Sequence, residues 1–180
     1  MTTITVYGSL IDLEQRQKHS SLFADAHPVV VRGYRRVFAQ EPSWRKGNNE
    51  HRAVLTVVRS DHDFFNGLLV KLRAESDFCK LDNRERGYER IAIASSQIAC
   101  LVDISRSTSL ELARLQLAGE QTYLYVGKPE KKNNNILPNK DYLEICLRGA
   151  KYYGKTFYEQ FLQTTYVGEV TLKTFLQRNI

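Results

Sequence analysis

The residues with the clearest chemical potential form a stripe between Asp77 and Tyr88. Phe78, Leu81 and Tyr88 recur at helical spacing, and Glu85 falls on the same stripe. A helix over 77–88 would therefore point one carboxylate in the direction of the apolar side chains. A carboxylate in that position loses solvation, which raises its pKa toward values useful for proton transfer.

Glu85 has two interpretations on this pattern. It is the first candidate for a catalytic acid/base, because its charge would be carried toward a core or cleft. Alternatively, it forms an ion pair with Arg84, Arg86 or Arg90 at the end of the helix. Most glutamates on helices are solvated or paired, so the ion pair is the more common arrangement.

The composition indicates a soluble globular protein. The 180 residues are 42% hydrophobic and 26% charged, and their length predicts one domain over residues 1–180. The net charge of +6 suits an anionic partner, but the basic residues are scattered, which argues against nucleic acid. Cys79, Cys100 and Cys146 lie far apart and indicate reduced thiols. With no signal-peptide pattern and no run near the ~20 apolar residues of a membrane span, we expect a cytoplasmic protein.

The order of the predicted elements favours an α+β fold. Alternating or β-branched segments predict strands, with a bulge at Gly33 and a turn around Ser60 to Asp63; these segments are Thr2–Tyr7, Pro28–Ala39, Ala53–Val58, Phe65–Leu72, Arg90–Ala94 and Gln121–Gly127. Helices are predicted at Leu10–Lys18, at Asp77–Tyr88, from Tyr142 to Gly154 and again from Phe157; Glu169–Arg178 is a strand or a short helix. We therefore expect a mixed sheet or small β-barrel flanked by helices.

Three segments outside these elements carry separate expectations. The polar segment Gln40–Arg52 predicts a loop, in which Trp44 either covers a pocket or packs on the surface. Ser95–Gly119 shows no single period, so helix and strand both stay open. Lys128–Lys140, with two prolines and several lysines, predicts a mobile surface loop that can act as a lid.

The loop from Tyr7 to Leu10 is a second candidate site. A strand that enters a helix through Gly8-Ser9 aims backbone N–H groups at one point, where they can hold a carboxylate or an oxyanion. A plain strand-to-helix turn explains the same pattern. Ser9 is a poor nucleophile candidate because the glycine elbow and an obvious histidine base are missing. No metal-ligand or nucleotide-binding motif is present, so we expect neither metal nor cofactor.

Three separated segments together share a pattern with a known family. They are Tyr7-Gly8-Ser9-Leu10, the Leu81–Tyr88 segment Leu-Asp-Asn-Arg-Glu-Arg-Gly-Tyr, and Tyr142-Leu143 with Gly149-Ala150 and Gly154. In this order they resemble the γ-glutamylcyclotransferase-like superfamily, which includes the ChaC-type glutathione-degrading enzymes and the AIG2-like proteins. The leucine after the serine is similar to ChaC-like members, whereas Ser95–Gly119 looks like an insertion relative to the compact family pattern.

The resemblance implies a function and a site. Tyr7, Gly8, Ser9 and Leu10 would bind the γ-glutamyl group, Glu85 would be the acid/base, and Tyr125 would line the pocket. The implied reaction releases 5-oxoproline from glutathione, a γ-glutamyl amino acid or a γ-glutamylamine, without a cofactor. The alternative is a binding or regulatory module that keeps the fold without catalysis, for which the net charge and the basic loop suggest an anionic partner.

Overall fold

The computed structural model of the protein describes residues 2–42, 50–101 and 121–178. In these residues the strands are β1 (Thr3–Val6), β2 (Phe23–Gln40), β3 (His51–Leu72), β4 (Tyr88–Ile93), β5 (Ile98–Cys100), β6 (Thr122–Gly127), β7 (Leu137–Pro138), β8 (Thr165–Val167) and β9 (Val170–Thr171). The helices are α1 (Leu13–Gln17), α2 (Asp77–Arg84), α3 (Lys140–Tyr152), α4 (Lys155–Thr164) and α5 (Leu172–Arg178), with 3-10 turns at Ser9–Ile11, Ser95–Gln97 and Pro129–Lys131. None of the helices in these ranges combines the length and hydrophobicity of a membrane span.

The sheet is mixed and open. Its main path runs β4-β6-β1-β3-β2-β8-β9, with β5 on β2 and β7 on β3. Strand β1 lies inside the path between β6 and β3, parallel to β6 and antiparallel to β3. Of the two predicted architectures, the mixed sheet with flanking helices is confirmed, and the described strands do not close into a barrel.

The β2–β3 pair is the longest feature of the sheet and corrects one prediction. We expected two strands separated by a turn at Ser60–Asp63, but β3 is continuous over 22 residues. Its register against β2 jumps from Arg32 opposite Phe64 to Tyr34 opposite Arg59. Residues 60–63 therefore bulge opposite Gly33, whose φ of 86° confirms the predicted irregularity there. The residues of this bulge are polar, and a polar segment between two strands is also typical of a turn. This similarity explains the incorrect prediction.

The two predicted C-terminal helices are confirmed. One packs on the turn that follows β1, and the other packs on β3. Helix α3 buries Leu143, Cys146 and Ala150 and packs on the Ser9–Ile11 turn, while α4 buries Phe157 and packs on β3. Between them the chain turns at Gly154, which has a φ of 91°. The last segment, left open between strand and helix, contains both β9 and α5.

The segment Lys128–Lys140 is attached to the sheet by backbone hydrogen bonds, while its role as a mobile lid stays a prediction. Lys131 accepts from the Glu41 amide at 2.8 Å, Asn133 donates its amide to Ala39 at 2.7 Å, and Leu137 donates to Glu50 at 2.7 Å. These backbone bonds fix the segment along the ends of β2 and β3. Two other predictions, on Trp44 and on most of Ser95–Gly119, concern positions outside the described residues.

Candidate active site

The loop after β1 is built by local hydrogen bonds. Strand β1 ends at Val6, and the chain then tightens so that the Ile11 amide donates to Gly8 at 2.9 Å and the Asp12 amide donates to Ser9 at 3.1 Å. Asp12 next caps α1 by accepting from the Gln15 amide at 3.1 Å. The predicted change from strand to helix at Gly8-Ser9 is confirmed, with a 3-10 turn preceding the short α-helix.

Helix α3 supports this loop from behind. The guanidinium of Arg148 donates to both carboxylate oxygens of Asp12 at 2.8 Å, and these bonds lower the pKa of Asp12. The next residue, Gly149, lies so close to the loop that a Cβ there would be 2.5 Å from the Asp12 nitrogen. The absence of a side chain at Gly149 therefore lets helix α3 lie directly against the Ile11–Asp12 backbone.

Glu85 lies just beyond the end of α2. The predicted helix over 77–88 is too long: it ends at Arg84, Glu85 is its C-cap with φ −93° and ψ 34°, and Tyr88 begins β4. The helix therefore ends earlier than the apolar stripe indicated, because Tyr88, the last residue of that stripe, belongs to β4. The turn after α2 still directs the Glu85 side chain into a cavity that Leu81 and Tyr88 also line.

The predicted ion pair of Glu85 is present, with Arg84, and the carboxylate is at the same time largely buried. Its side chain is 21% exposed, and its carboxylate accepts from Arg84 Nε at 3.0 Å. Burial raises the pKa of Glu85, while the neighbouring Arg84 charge and its hydrogen bond act in the opposite direction. The carboxylate is thus desolvated and paired, with burial as the larger influence.

Four buried or half-buried tyrosines surround Glu85. Tyr7 donates its hydroxyl to the Tyr125 carbonyl at 2.6 Å, and Tyr88 donates to the Leu55 carbonyl at 2.7 Å. Tyr142 accepts a hydrogen bond from the backbone of Ser9. Burial is the largest cause that raises the pKa of each of these phenols, so all remain protonated at neutral pH.

Tyr125 is fixed by a second bond. Its hydroxyl donates to Asp82 Oδ1 at 2.5 Å, which ties β6 to α2. Arg90 of β4 holds the other oxygen of Asp82 at 3.4 Å and lies over the Phe78 ring, with its guanidinium carbon 3.7 Å from the ring centroid. These contacts set the position of α2, and hence of Glu85, relative to β6.

The loop, Glu85 and the tyrosines line one cavity of about 60 Å³. All six predicted site residues are among its lining: Tyr7, Gly8, Ser9, Leu10, Glu85 and Tyr125. A second, wider cavity of about 330 Å³ shares Ser9, Glu85, Tyr88 and Tyr142 with it and extends to Arg84 and Gln15. Glu85 lines both cavities and so lies where they meet.

Sequence reasoning missed several lining residues, and only Tyr88 and Tyr142 among them carried a signal in the quoted motifs. Tyr88 ends the quoted motif and Tyr142 begins another, but we assigned both only to helix packing. Leu55, at the centre of β3, also lines the cavity and has no distinguishing signal beyond strand alternation. No histidine is among the lining residues of either cavity, so Ser9 has no adjacent imidazole base in the described residues.

The described residues contain no cluster of three histidine, cysteine, aspartate or glutamate side chains with the arrangement of a metal site. The cavity therefore offers one carboxylate, phenolic hydroxyls and backbone N–H groups as its polar chemistry. Such a set can orient a polar ligand and transfer a proton.

Comparison with known proteins places the fold. No family model and no curated protein sequence matches the chain. Among solved structures, an uncharacterised human protein superimposes with a TM-score of 0.62 at 17% identity, covering 97% of each chain. A γ-glutamyl cyclotransferase gives 0.61 at 16% identity and covers 98% of each chain. A yeast γ-glutamyl cyclotransferase specific to glutathione gives 0.59 at 16% identity, covering 94% of this chain and 99% of the yeast chain. The chain therefore has the γ-glutamyl cyclotransferase fold, as the resemblance of its three motifs predicted.

Proposed function

We propose that the protein is a γ-glutamyl cyclotransferase that releases 5-oxoproline from a γ-glutamyl amide. The observation that carries this proposal is the position of Glu85, a desolvated carboxylate that lines the same small cavity as Gly8, Ser9 and Leu10. The shared fold supports the same reaction, since two similar structures are γ-glutamyl cyclotransferases.

The chemistry requires no protein nucleophile. In a γ-glutamyl amide the α-amine can reach the γ-carbonyl carbon to close a five-membered ring. The new C–N bond forms as the amine attacks, and the bond between the γ-carbon and the leaving nitrogen then breaks. One proton must leave the attacking amine and one must reach the departing nitrogen, so that 5-oxoproline and a free amine or amino acid result.

Glu85 is suited to both proton transfers. Its ionised form, which the Arg84 contact at 3.0 Å favours, accepts the proton from the α-amine. Burial raises its pKa, so the protonated carboxyl is accessible as the acid that delivers this proton to the leaving nitrogen. A positioned acid/base group of this kind contributes about a hundred- to ten-thousand-fold in rate.

The loop and the tyrosines would hold the substrate. The first N–H groups of a 3-10 turn have no partner within the turn, so those of Gly8 and Leu10 would bind an anionic group or charge on the γ-carbonyl oxygen, while the Ser9 N–H donates to Tyr142. The four phenols form a wall that keeps the folded substrate in place and limits access of water. The second, wider cavity would take the group beyond the γ-carbonyl, because it shares Ser9 and Glu85 with the first.

The test is mass-spectrometric detection of 5-oxoproline from glutathione, γ-glutamyl dipeptides and γ-glutamylamines. Wild type is compared with Glu85→Gln, which preserves shape but cannot accept the proton. The control is Glu89→Gln, a change at an exposed glutamate on the adjacent β4.

We expect product from wild type and from Glu89→Gln, and a loss of at least about a hundredfold in Glu85→Gln. Thermal melts should show that both variants are folded. Full turnover in Glu85→Gln would remove Glu85 from the mechanism. Absence of product from every substrate with wild type would overturn the proposed reaction and favour a module that binds without catalysis.

A further inference from the structure

Arg36 is a completely buried cation close to the candidate active site. It lies on β2 beside Thr165 of β8, and none of its surface is exposed. Its guanidinium carbon stacks 3.9 Å from the centroid of the Phe161 ring. The reaction proposed above does not use this residue.

Every hydrogen-bond acceptor of this guanidinium is uncharged. Nε donates to Thr165 Oγ1 at 2.8 Å, Nη1 to the Asn66 carbonyl at 2.6 Å, and Nη2 to Asn66 Oδ1 at 2.9 Å. The longer contacts join Nη2 to Thr164 Oγ1 at 3.2 Å and to the Phe161 carbonyl at 3.3 Å. Among the residues that the structure describes, no carboxylate pairs with Arg36. Burying a charge without a counter-charge costs free energy, so the position of Arg36 suggests a role beyond packing.

One further contact connects Arg36 to the binding loop. Nη1 lies 3.4 Å from the carbonyl oxygen of Tyr7, the residue immediately before Gly8. The peptide unit that receives this contact has the Gly8 N–H at its other end. A cation at the carbonyl polarises the peptide and strengthens its N–H as a donor toward the cavity.

We propose that Arg36 supplies the missing counter-charge for a carboxylate ligand of this cavity, acting through the Tyr7–Gly8 peptide and the low-dielectric interior. The inference rests on the proposed function, since the carboxylate in question is the α-carboxylate of the γ-glutamyl group. Arg36 does not line the cavity, so it acts as a positioning residue with an electrostatic effect.

The titration behaviour agrees with this arrangement. Burial lowers the pKa of Arg36 to about 9, which leaves the guanidinium charged at neutral pH. The pKa of Tyr7 is raised by burial and by Glu85, and the charge of Arg36 opposes both effects. The Arg36 guanidinium and the Glu85 carboxylate therefore both act electrostatically on Tyr7.

A purely structural role is the competing explanation. Arg36 joins the end of β1 to β3, α4 and β8, so its removal could disturb the whole cleft. Loss of structure would weaken every ligand in parallel. Loss of a counter-charge would weaken an anionic ligand more than its neutral analogue.

The experiment therefore measures a ratio of affinities. The probes are 5-oxoproline and its primary amide, which share the ring and differ by one charge. Dissociation constants are determined by titration calorimetry for wild type, Arg36→Met and Arg36→Gln. The control is Thr164→Val, which removes one acceptor and leaves the cation in place. Arg36→Gln retains a donor for Asn66 or Thr165 and provides a second neutral variant if Arg36→Met does not fold.

We expect wild type and Thr164→Val to prefer the anion by at least about tenfold, equivalent to about 1.4 kcal/mol. The neutral variants should lose about tenfold in this ratio. An unchanged ratio in a folded neutral variant would overturn the inference, as would a wild type that binds both probes equally or binds neither. A wild type that prefers the anion but yields no 5-oxoproline from any γ-glutamyl substrate would refute the proposed reaction while leaving the counter-charge intact.

Discussion

Replacing Gly149 with alanine should displace the loop that follows β1. The added Cβ would lie 2.5 Å from the Asp12 nitrogen, 2.7 Å from the Asp12 Cα and 2.8 Å from the Ile11 carbonyl carbon. These are backbone atoms, which cannot rotate away, and Cβ contacts under 3.0 Å essentially do not occur. Helix α3 or the loop must therefore move by roughly half an ångström or more.

Two opposing energies set the magnitude. Overpacking of a buried contact costs about 1–3 kcal/mol, and the backbone nature of this contact places it at the upper end. Alanine recovers about 1 kcal/mol through its higher helix propensity. The net loss of about 2 kcal/mol corresponds to a fall in Tm of about 4–8 °C for a chain of this size.

Thermal unfolding and turnover test this reasoning together. Glu144→Ala is the control, because Glu144 is exposed on the same helix and its replacement should change stability by less than about 0.5 kcal/mol. If the protein is the proposed cyclotransferase, displacement of the loop should also lower kcat/KM by about tenfold. A Gly149→Ala protein that melts at or above the wild-type temperature would refute the steric argument.

Two predictions concern the charges around the loop and Glu85. Arg84→Met removes the cation whose charge lowers the pKa of Glu85, so the acidic limb of the pH–rate profile should move to higher pH. The control Arg86→Met, at an exposed neighbouring residue, should leave this limb in place. An unmoved limb in Arg84→Met would contradict the assignment of that limb to Glu85. Asp12 has a lowered pKa, so its ionised form stabilises the fold above its unfolded pKa of about 3.9, and that stability is lost as the pH falls through the folded pKa. Asp12→Asn should therefore melt below wild type at pH 7, with a gap that narrows in acid, and Tm measured between pH 7 and pH 3 checks this.

The sequence predicted the elements whose pattern depends on local chemistry. The Gly8-Ser9 turn, the Gly33 bulge and the late helices all follow from residues with a restricted conformational role. The error at Ser60–Asp63 arose because a polar bulge in a long hairpin has the composition of a turn. Whether the sheet closes into a barrel depends on strand register over the whole chain, which no local pattern contains.

The sequence predicted residues that share one cavity, but it did not predict the electrostatics around them. The six predicted residues line this cavity because two of the motifs and strand β6 converge there. Arg36 gave no signal, since an arginine in an alternating strand normally faces solvent. Its burial results from acceptors on Asn66 and Thr165, which lie 30 and 129 residues away along the chain. Contacts of that separation are set by the completed fold.

The position of Glu85 at the end of α2 would suit the acid/base role proposed for it. The C-terminus of a helix carries partial negative charge, which disfavours the ionised form of a nearby carboxyl group. This charge raises the pKa of the group, as burial does. With these influences alone, Glu85 would hold its proton too firmly to act as a base. The adjacent Arg84, bonded to the carboxylate at 3.0 Å, opposes both and keeps the ionised form accessible. A group that must take a proton from one nitrogen and return it to another requires this balance, because a fully paired carboxylate would be a poor acid and an isolated buried one a poor base.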